Sequence, residues 1–526
     1  MRRLSILVLA SLPFALSAAP ANARAAPGDF RGHHQQVLTV VAVQGLTLAD
    51  LPELAPQGAI GLLVPTAGPT TSRALAFAGI VRGVLHNKRL GRRPSGRVLI
   101  KVEQSRAIPL TTGVIVIGLP PGQLTRNDRR YPIAVFGACR GTLDSSLTRV
   151  PGLVSAADVA RTALQTPHAL TCRPDANAVA TLSRLEQRVE VARTTTMAGT
   201  VIMLALVVAF ALILPAAVVP ALGTALAVNL ALGWVPAGSG SARLTFFAGC
   251  IAAGGLLWRR LSAQPLAIGL GLGALLVGYG VAMAVHPSAL SLAPIGPELT
   301  SRFFGVSNLL ETLLLVPALL SAAAFGRRFG VLGFGGIAAI SLLVVAENLL
   351  GSDGGGAVVL GVAFASLAVV MGGARTRAIV PALAVAAIVV YGLVNVDLAI
   401  SGPDHLRGAL TGGLAGLWSV AVHRVPLSYA RVLQQWYLVF PLVAIVGLVL
   451  RSRRWPATRD RRALVAAFSA AIVTSLIVND SPGPVALGGL AAFFGFEPLA
   501  LRRELELLAA RYAPATAAVV TVETGP

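Results

Sequence analysis

From Met197 onward the chain is a series of apolar runs, each long enough or nearly long enough to cross a membrane. At a rise of about 1.5 Å per residue, about 20 apolar residues span the hydrocarbon core of a bilayer. Backbone N–H and C=O groups inside lipid must be satisfied within their own segment, so such runs are helices rather than open strands. The sequence therefore predicts an all-α polytopic bundle of about eleven helices within 197–503. The expected spans are 197–214, 218–235, 244–258, 265–285, 304–325, 331–349, 355–372, 378–394, 434–450, 463–478 and 484–500.

The composition of the whole chain also indicates a membrane protein. Its 526 residues have a mean hydropathy of +0.75 and only 12% are charged, which is too apolar for an ordinary soluble enzyme of several domains. The net charge of +21 comes almost wholly from arginines, which stand in short runs between apolar segments. Basic residues in that position set membrane orientation, so the expected partner is the lipid bilayer and not a nucleic acid.

The first 25 residues have the three regions of a secretory signal. Met1-Arg2-Arg3 is followed by an apolar run from Leu4 to Leu16 and by small residues through Ala26. An uncleaved first helix is the alternative, but the run is short for a membrane span. The sequence therefore predicts a signal peptide over 1–25 and a following segment that lies outside the cytoplasm.

Residues 27–180 indicate a small α/β domain. The β-branched runs Val37–Val43, Val114–Ile117 and Ile133–Phe136 are typical of buried strands, and Ser155 is the expected N-cap of a helix that contains Asp158. The charged piece 181–196 should be a helix or linker that leads into the membrane region. The predicted fold class is thus mixed: an extracytoplasmic α/β domain, a helical membrane region over 197–503 and a cytoplasmic tail over 504–526.

Two of the three cysteines, Cys139 and Cys172, fall in this exported segment, and Cys250 falls in an apolar run. An oxidising compartment favours a Cys139–Cys172 disulfide. Two unpaired buried thiols are the alternative, and the spacing of the cysteines gives no metal signature.

Sidedness follows from the arginine clusters. If the α/β domain is outside, alternate connections must be cytoplasmic, and these connections hold most of the arginines of the membrane region, in the positive-inside pattern. The clusters are Arg259-Arg260, Arg327-Arg328, Arg375 with Arg377, Arg451 to Arg462, and Arg502-Arg503. The sequence predicts a multi-pass protein of the cytoplasmic membrane with its C-terminus in the cytoplasm.

With this topology, most polar residues near the ends of spans collect on the outer face, where they could form one site beneath the α/β domain. Each of them could instead be an interfacial cap or a solvated loop residue. The residues expected to be catalytic are Asp353, Asp397, His405 and Asp480. Those expected to bind substrate are Arg302, Asn308, Glu311, Glu347, Asn479 and Ser481. Carboxylates with an Arg and a His could hold a divalent cation, grip a phosphate or perform acid–base chemistry.

The segment from Thr148 to Leu164, with Pro151-Gly152-Leu153-Val154 before the Asp158 helix, resembles the late strand-to-helix element of alkaline-phosphatase-like domains. The strand Val37–Val43 matches the first strand of that superfamily, but Gln44 stands where a metal-binding Asp is usual. The resemblance implies a shortened, degenerate domain without phosphatase activity that serves as a binding or docking module. Thr70, Thr71 and Ser72 could be nucleophiles only in principle.

Motifs of the membrane region resemble a group of polytopic proteins from actinobacteria and related lineages that join an alkaline-phosphatase-like exported domain to membrane helices. The motifs are Ser301–Asn308, Gly351–Gly355, Asp397, Asp404-His405-Leu406 and Asn479-Asp480-Ser481. Two departures are Ser307, where the group has Gly, and Pro482, which interrupts an Asp-Ser-Gly motif. The group brings no established reaction with it.

Together these features suggest an envelope protein that binds, and could transfer or hydrolyse, a lipid-linked substrate carrying phosphate or sugar. A transporter or flippase is one alternative, although the sequence shows no convincing internal repeat. The other alternative is a non-enzymatic scaffold or sensor that binds envelope-assembly proteins.

Overall fold

The computed structural model describes the sheet domain and most of the membrane helices. The described residues are 39–67, 70–82, 100–103, 113–137, 139–163, 169–235, 238–297, 303–347, 350–351, 354–372, 439–452, 454, 458–479 and 482–497. The expected signal peptide, the expected span 378–394 and the expected tail 504–526 lie outside these residues.

The N-terminal domain is built on a mixed eight-stranded sheet. Its strands are β1 Thr39–Val43, β2 Gly58–Val64, β4 Ile100–Glu103, β5 Val114–Gly118, β7 Tyr131–Phe136, β8 Gly141–Ser145, β9 Leu153–Ser155 and β10 Leu170–Pro174. The order is β10-β8-β2-β7-β5-β1-β4, with β9 paired to β2. β1 is parallel to β4 and β5, whereas β7 is antiparallel to β2 and β5. A two-stranded ribbon joins β3 Thr70–Thr71 to β6 Thr125–Arg126.

The three strands expected from β-branched runs are present as β1, β5 and β7. Both faces of β1 are buried: Val40 and Ala42 belong to one apolar core, and Val41 and Val43 to the other. The first core is closed by helices α2 Arg73–Arg82 and α3 Ala156–Ala163. The second is closed by the short helix α1 Leu51–Leu54 and by the first part of α4 Ala178–Ile213. This two-sided burial explains the continuous apolar strand sequence.

A disulfide between Cys139 and Cys172 ties the connection after β7 to the edge strand β10. The two Cα atoms lie 6.2 Å apart, and the cysteines are 33 positions apart in sequence. Of the two possibilities that the sequence left open, the structure has the bonded pair.

Replacing both cysteines by alanine should destabilise the sheet domain by about 3 kcal/mol, because a closed loop of this length restricts the unfolded chain. Thermal unfolding of the full-length protein in detergent measures the loss. Cys250→Ala is the matched control, since Cys250 is a free, half-buried thiol on a membrane helix. Equal unfolding temperatures for the double variant and the control would contradict the expectation.

Helix α4 carries the chain from the sheet domain to the membrane region without a break. Its 36 residues correspond to a length of roughly 54 Å, well beyond the thickness of a hydrocarbon core. Leu182, Leu185 and Val189 pack in the sheet-domain core, and Met203 and Val207 pack in the core of the helical bundle. The segment 181–196, expected as a helix or linker, is therefore part of one helix shared by both regions.

Seven helices within the described part of the chain are long and apolar enough to cross a membrane. They are α4, α5 Val218–Trp234 with the turn before it, α6 Gly240–Trp258 with the turn after it, α7 Pro265–Val285, α9 Asn308–Ala346, α10 Gly354–Gly372 and α12 Arg459–Val478. Two shorter apolar helices are α11 Val439–Ser452 and α13 Pro482–Phe496, and the one-turn helix α8 Ser288–Ser291 follows α7. The structure thus supports a multi-pass membrane region, while the expected number of eleven spans stays a prediction.

Helix α9 is a hairpin of two helical arms that reverse at Gly330. Gly330 has a φ of +66°, which a residue with a side chain rarely adopts. On α7, Gly269 and Gly273 face Ala324 and Ser321 of the first arm. Gly273 and Gly280 face Ile337 and Val344 of the second arm. The first arm therefore runs antiparallel to α7 and the second parallel to it, as expected for the spans predicted on either side of this glycine.

Contacts between connections divide the bundle into two ends. The Arg327 guanidinium at the α9 reversal pairs with Asp460 at the start of α12. The Arg459 Nε donates to the Val370 carbonyl at the end of α10 at 3.2 Å, and Arg461 pairs with Glu497 after α13. We call this the arginine end, and the opposite end, which carries the sheet domain, the domain end. Connections with predicted cytoplasmic arginine clusters thus gather at one end.

Candidate functional site

Three connections of the membrane region meet at the domain end. The Val306 N–H donates to the Gly351 carbonyl at 2.9 Å, which joins the segment before α9 to the loop before α10. Gly305 has a φ of +77°, and a Cβ there would overlap the same carbonyl oxygen. Only glycine allows this close approach of the two backbones. The local sequence therefore brings the 303–307 segment against the 350–351 turn.

The third connection follows α12 and enters the cluster through a buried carboxylate. The Asn479 amide donates from Nδ2 to Glu311 Oε2 at 2.8 Å and also lies 2.8 Å from Ser475 Oγ. Glu311 is 1% exposed and Asn479 is 6% exposed. A buried carboxylate is costly unless hydrogen bonds compensate, so the amide at this position stabilises Glu311 inside the bundle. We call Glu311, Asn479 and Ser475 the carboxylate cluster.

Helix ends place the members of the carboxylate cluster. Ser307 is the N-cap of α9, and its Oγ accepts the Leu310 N–H at 3.2 Å, which sets Glu311 in the first turn of that helix. Asn479 is the C-cap of α12, and its own N–H donates to the Ser475 carbonyl at 2.9 Å. Carboxylates are favoured at the start of a helix by the partial positive charge of its N-terminus. The same caps that end the helices thus point both polar side chains at one place.

The sheet domain covers the segment that leads into this cluster. Phe303 is buried in the sheet-domain core together with Leu292, and the Arg149 guanidinium lies 4.0 Å from the ring centre of Phe304. A guanidinium over an aromatic face is attracted by the ring's electrons. The connection before α9 is therefore held by the sheet domain on one side and by the bundle on the other.

The structure brings together some of the site residues that were predicted from the sequence. Glu311 and Asn479 are in direct contact, and Asn308 is half-buried one turn from Glu311. Glu347 is the C-cap of the second arm of α9, and its carbonyl accepts the Leu350 N–H at 3.0 Å, so it flanks the same turn. Arg302, Asp353, Asp397, His405, Asp480 and Ser481 lie outside the described residues.

The strand ends of the sheet domain hold few groups suited to metal binding. Gln44 follows β1 and is exposed, and Leu119 and Pro120 follow β5. No group of three or more His, Cys, Asp or Glu side chains converges anywhere in the described ranges. Ser72 caps α2 by accepting the Leu75 N–H at 3.3 Å, and the Thr71 side chain is buried beside it. Ser72 therefore serves as a helix cap at the start of α2, and Thr71 is the buried residue before it.

One buried pair in the sheet domain was missed by sequence reasoning. Ser145 Oγ donates to Asp158 Oδ2, and Asp158 is 0% exposed. Burial raises the pKa of Asp158 to about 7, although Ser145, Arg161 and the Ser155 backbone N–H favour the ionised form. The Ala157 N–H donates to Ser155 Oγ at 3.1 Å, which confirms Ser155 as the expected N-cap. Asp158 is buried in the core of the sheet domain and is not part of the carboxylate cluster.

The architecture joins a mixed α/β sheet domain to apolar helices of membrane-crossing length, with a buried polar cluster where the two regions meet. No protein-family model, curated protein or solved structure matches this chain. It is a multi-pass membrane protein. The carboxylate cluster and the surfaces around it are therefore the features that bear on what the protein binds.

Proposed function

We propose that this chain is a bacterial envelope protein that binds a lipid-linked substrate carrying phosphate or sugar at the outer face of the cytoplasmic membrane. The observation that carries the proposal is the Glu311–Asn479 contact at the domain end of the bundle, beneath the sheet domain. Ionisable groups buried at membrane depth are costly and are most often retained for function. In this role Glu311 would accept hydrogen bonds from hydroxyl groups, with Asn479 fixing the carboxylate.

The position of the cluster favours a substrate that is itself held in the membrane. It lies at the ends of apolar helices, so a lipid tail could stay in the bilayer while a polar head reaches the carboxylate. Asp353 and Asp480 adjoin two of the three connections that meet there, and Asp397 and His405 complete the proposed catalytic set. Transfer or hydrolysis at the head group is the reaction class proposed for these four residues, with a divalent cation as the candidate cofactor.

A strain whose only copy carries Glu311→Gln tests the proposal. We expect its extracted envelope lipids and polymers to change in the same direction as those of a deletion strain, because the neutral amide cannot reproduce the carboxylate's hydrogen bonding. Asp353→Ala, Asp397→Ala and Asp480→Ala are expected to produce the same profile. Comparative mass spectrometry of whole lipid and wall extracts is the measurement.

The matched control is Glu497→Gln. Glu497 is also a buried carboxylate, 2% exposed, but it lies at the arginine end, paired with Arg461. The control strain should keep the wild-type profile at equal protein abundance. Wild-type profiles in the deletion strain, or in Glu311→Gln and all three aspartate variants, would reject the proposal.

A non-enzymatic scaffold or sensor is the second candidate, and the strand ends of the sheet domain favour it. Gln44 stands after β1, where alkaline-phosphatase-like domains carry a metal-binding Asp, which supports a docking module for envelope-assembly proteins. Under this candidate, a partner complex captured with the full chain would persist in Glu311→Gln, and the lipid profile would stay unchanged.

A further inference from the structure

Two arginine side chains converge on the C-terminal end of α5. Arg243 Nη2 donates to the Leu232 carbonyl at 2.7 Å and to the Leu292 carbonyl at 2.5 Å. Arg188 Nη2 donates to the next carbonyl, Gly233, at 2.8 Å. Because they bind consecutive carbonyls, the two guanidinium groups are neighbours. They come from different helices, α6 and α4, and meet at the domain end.

The negative end of the α5 dipole compensates only part of the positive charge of the two arginines. The C-terminus of a helix carries about half a negative charge, which attracts the arginines. The N-terminus of α6 carries the opposite partial charge, and Arg243 lies in its first turn, after the Ser239 N-cap. The two helix ends thus offset each other, and two full positive charges remain side by side.

No carboxylate pairs with either arginine among the residues that the structure describes. Arg243 is 7% exposed and anchored in the junction, while Arg188 is half-buried and reaches its edge. Neighbouring buried like charges are unfavourable unless an anion compensates them. The unused N–H groups of the two forks are suited to an oxyanion, which guanidinium groups bind through paired hydrogen bonds.

The surroundings of the pair are those of a membrane interface. Trp234 ends α5, its ring centre lies 5.3 Å from that of the tilted His286 ring, and Val235 and Phe246 are largely exposed. Tryptophan is enriched at the level of lipid head groups, and exposed apolar side chains beside it mark the lipid-facing surface. An anion at this place can therefore belong to a molecule whose tail lies in the bilayer.

We propose that Arg188 and Arg243 form a binding site for a phosphate group, carried by an anionic lipid head group or by free phosphate. The buried Arg243 guanidinium lies at the inner side of the site, and the half-buried Arg188 guanidinium lies at its outer side. The site is separate from the carboxylate cluster and does not depend on the function proposed for that cluster.

The test is ligand-induced thermal stabilisation of the full-length protein in neutral detergent at constant ionic strength. The probes are dioctanoyl phosphatidylglycerol, dioctanoyl phosphatidylcholine and inorganic phosphate. We expect phosphatidylglycerol to stabilise the wild-type protein, and Arg188→Gln to weaken its apparent affinity about tenfold or more, because a charge-assisted bidentate contact is lost. Arg188→Lys, which keeps the charge without the fork, should fall between them.

The matched control is Arg184→Gln, one turn earlier on α4, where the exposed Arg184 donates to the Ala180 carbonyl of its own helix. It should bind as the wild type does. Stabilisation by inorganic phosphate that matches phosphatidylglycerol, and is lost in Arg188→Gln, identifies free phosphate as the ligand. Stabilisation by the lipid alone identifies a head group.

Three results would overturn the site. The first is the absence of stabilisation by either anion. The second is equal stabilisation of the wild type and Arg188→Gln by phosphatidylglycerol. The third is equal stabilisation by phosphatidylglycerol and phosphatidylcholine that does not change in Arg188→Gln. If Arg188→Gln does not fold, the comparison of Arg188→Lys with Arg184→Gln decides between the same outcomes.

Discussion

Replacing Arg130 by alanine is expected to lower the free energy of unfolding by about 3 kcal/mol, because it leaves the largely buried Glu186 carboxylate without its partner at the base of the sheet domain. The Arg130 side chain is 7% exposed and binds Glu186 through Nε and Nη2 at 2.7 and 2.6 Å. Its Nη2 also lies 3.5 Å from Glu190. Both glutamates are on α4, so this contact fixes the sheet domain on the helix that enters the membrane. Chemical or thermal unfolding of the full-length protein measures the effect.

Arg173→Ala is the control for this prediction. Arg173 pairs with Asp144 at 2.5 Å, but its side chain is half exposed, so its loss should cost less than about 1 kcal/mol. The paired substitution Arg130→Met with Glu186→Leu should recover most of the lost stability, because no buried charge is left without its partner. Equal losses for Arg130→Ala and Arg173→Ala would contradict a special role for the α4 contact.

Asp158→Asn is expected to stabilise the protein at pH 8 and to have much less effect at pH 4. The pKa of Asp158 in the folded domain is about 7, against an ordinary value of 3.8, and burial is the main cause. A raised carboxyl pKa means that the folded state binds more protons than the unfolded state between these values. Stability therefore falls as pH rises from about 4 to about 7, and the penalty persists above that range.

The size of this penalty approaches about 4 kcal/mol, since each pKa unit corresponds to about 1.4 kcal/mol. Asparagine cannot ionise and can keep hydrogen bonds to Ser145 and to the Ser155 backbone. The measurement is the unfolding temperature of both proteins from pH 4 to pH 8. Glu53→Gln, at an exposed site, serves as the control. A constant difference between Asp158→Asn and the wild type across this range would refute the assignment.

The sequence predicted those elements whose residues are uniformly apolar or end in a recognisable cap. The strands β1, β5 and β7, the Ser155 cap and the interruption near Gly330 all follow from local composition. In each case the residues of one short segment are sufficient to predict the element. The membrane helices are predictable for the same reason, since lipid requires continuous apolar sequence.

Strand β2 shows why other elements could not be predicted. It is the central strand GAIGLLV and all seven residues are buried, yet it contains two glycines, which disfavour strands. A Cβ on Gly58 would overlap the Val135 carbonyl oxygen of β7, so the glycine is required by a neighbour distant in sequence. No local pattern contains that information.

The candidate sites also depend on contacts between residues that are distant in sequence. Glu311 and Asn479 are separated by 168 positions, and only the packing of α12 and α13 against α9 brings them together. Sequence topology predicted that both lie at one face, but not that they touch. The proximity of Arg188 and Arg243 was not anticipated, because Arg188 lies in the charged segment 181–196 and Arg243 stands 55 positions later, just before the predicted span 244–258.

The proposed function depends on the predicted sidedness, in which the domain end faces outward and the arginine end faces the cytoplasm. The arginines of three connections, Arg259, Arg327 and Arg459 among them, lie away from the sheet domain in the folded bundle. Basic residues of this kind are retained on the cytoplasmic side during insertion. The proposed substrate site at the outer face depends on the domain end being outside, whereas the phosphate site of Arg188 and Arg243 does not.

Labelling of single cysteines in intact cells by a membrane-impermeant maleimide, in a Cys250→Ser background, tests this claim most directly. Ser183→Cys is exposed on α4 beside the sheet domain, and Arg454→Cys is exposed in the connection between α11 and α12. We predict that Ser183→Cys reacts in intact cells and that Arg454→Cys reacts only after the membrane is permeabilised. Labelling of Arg454→Cys in intact cells, with Ser183→Cys protected, would contradict the account.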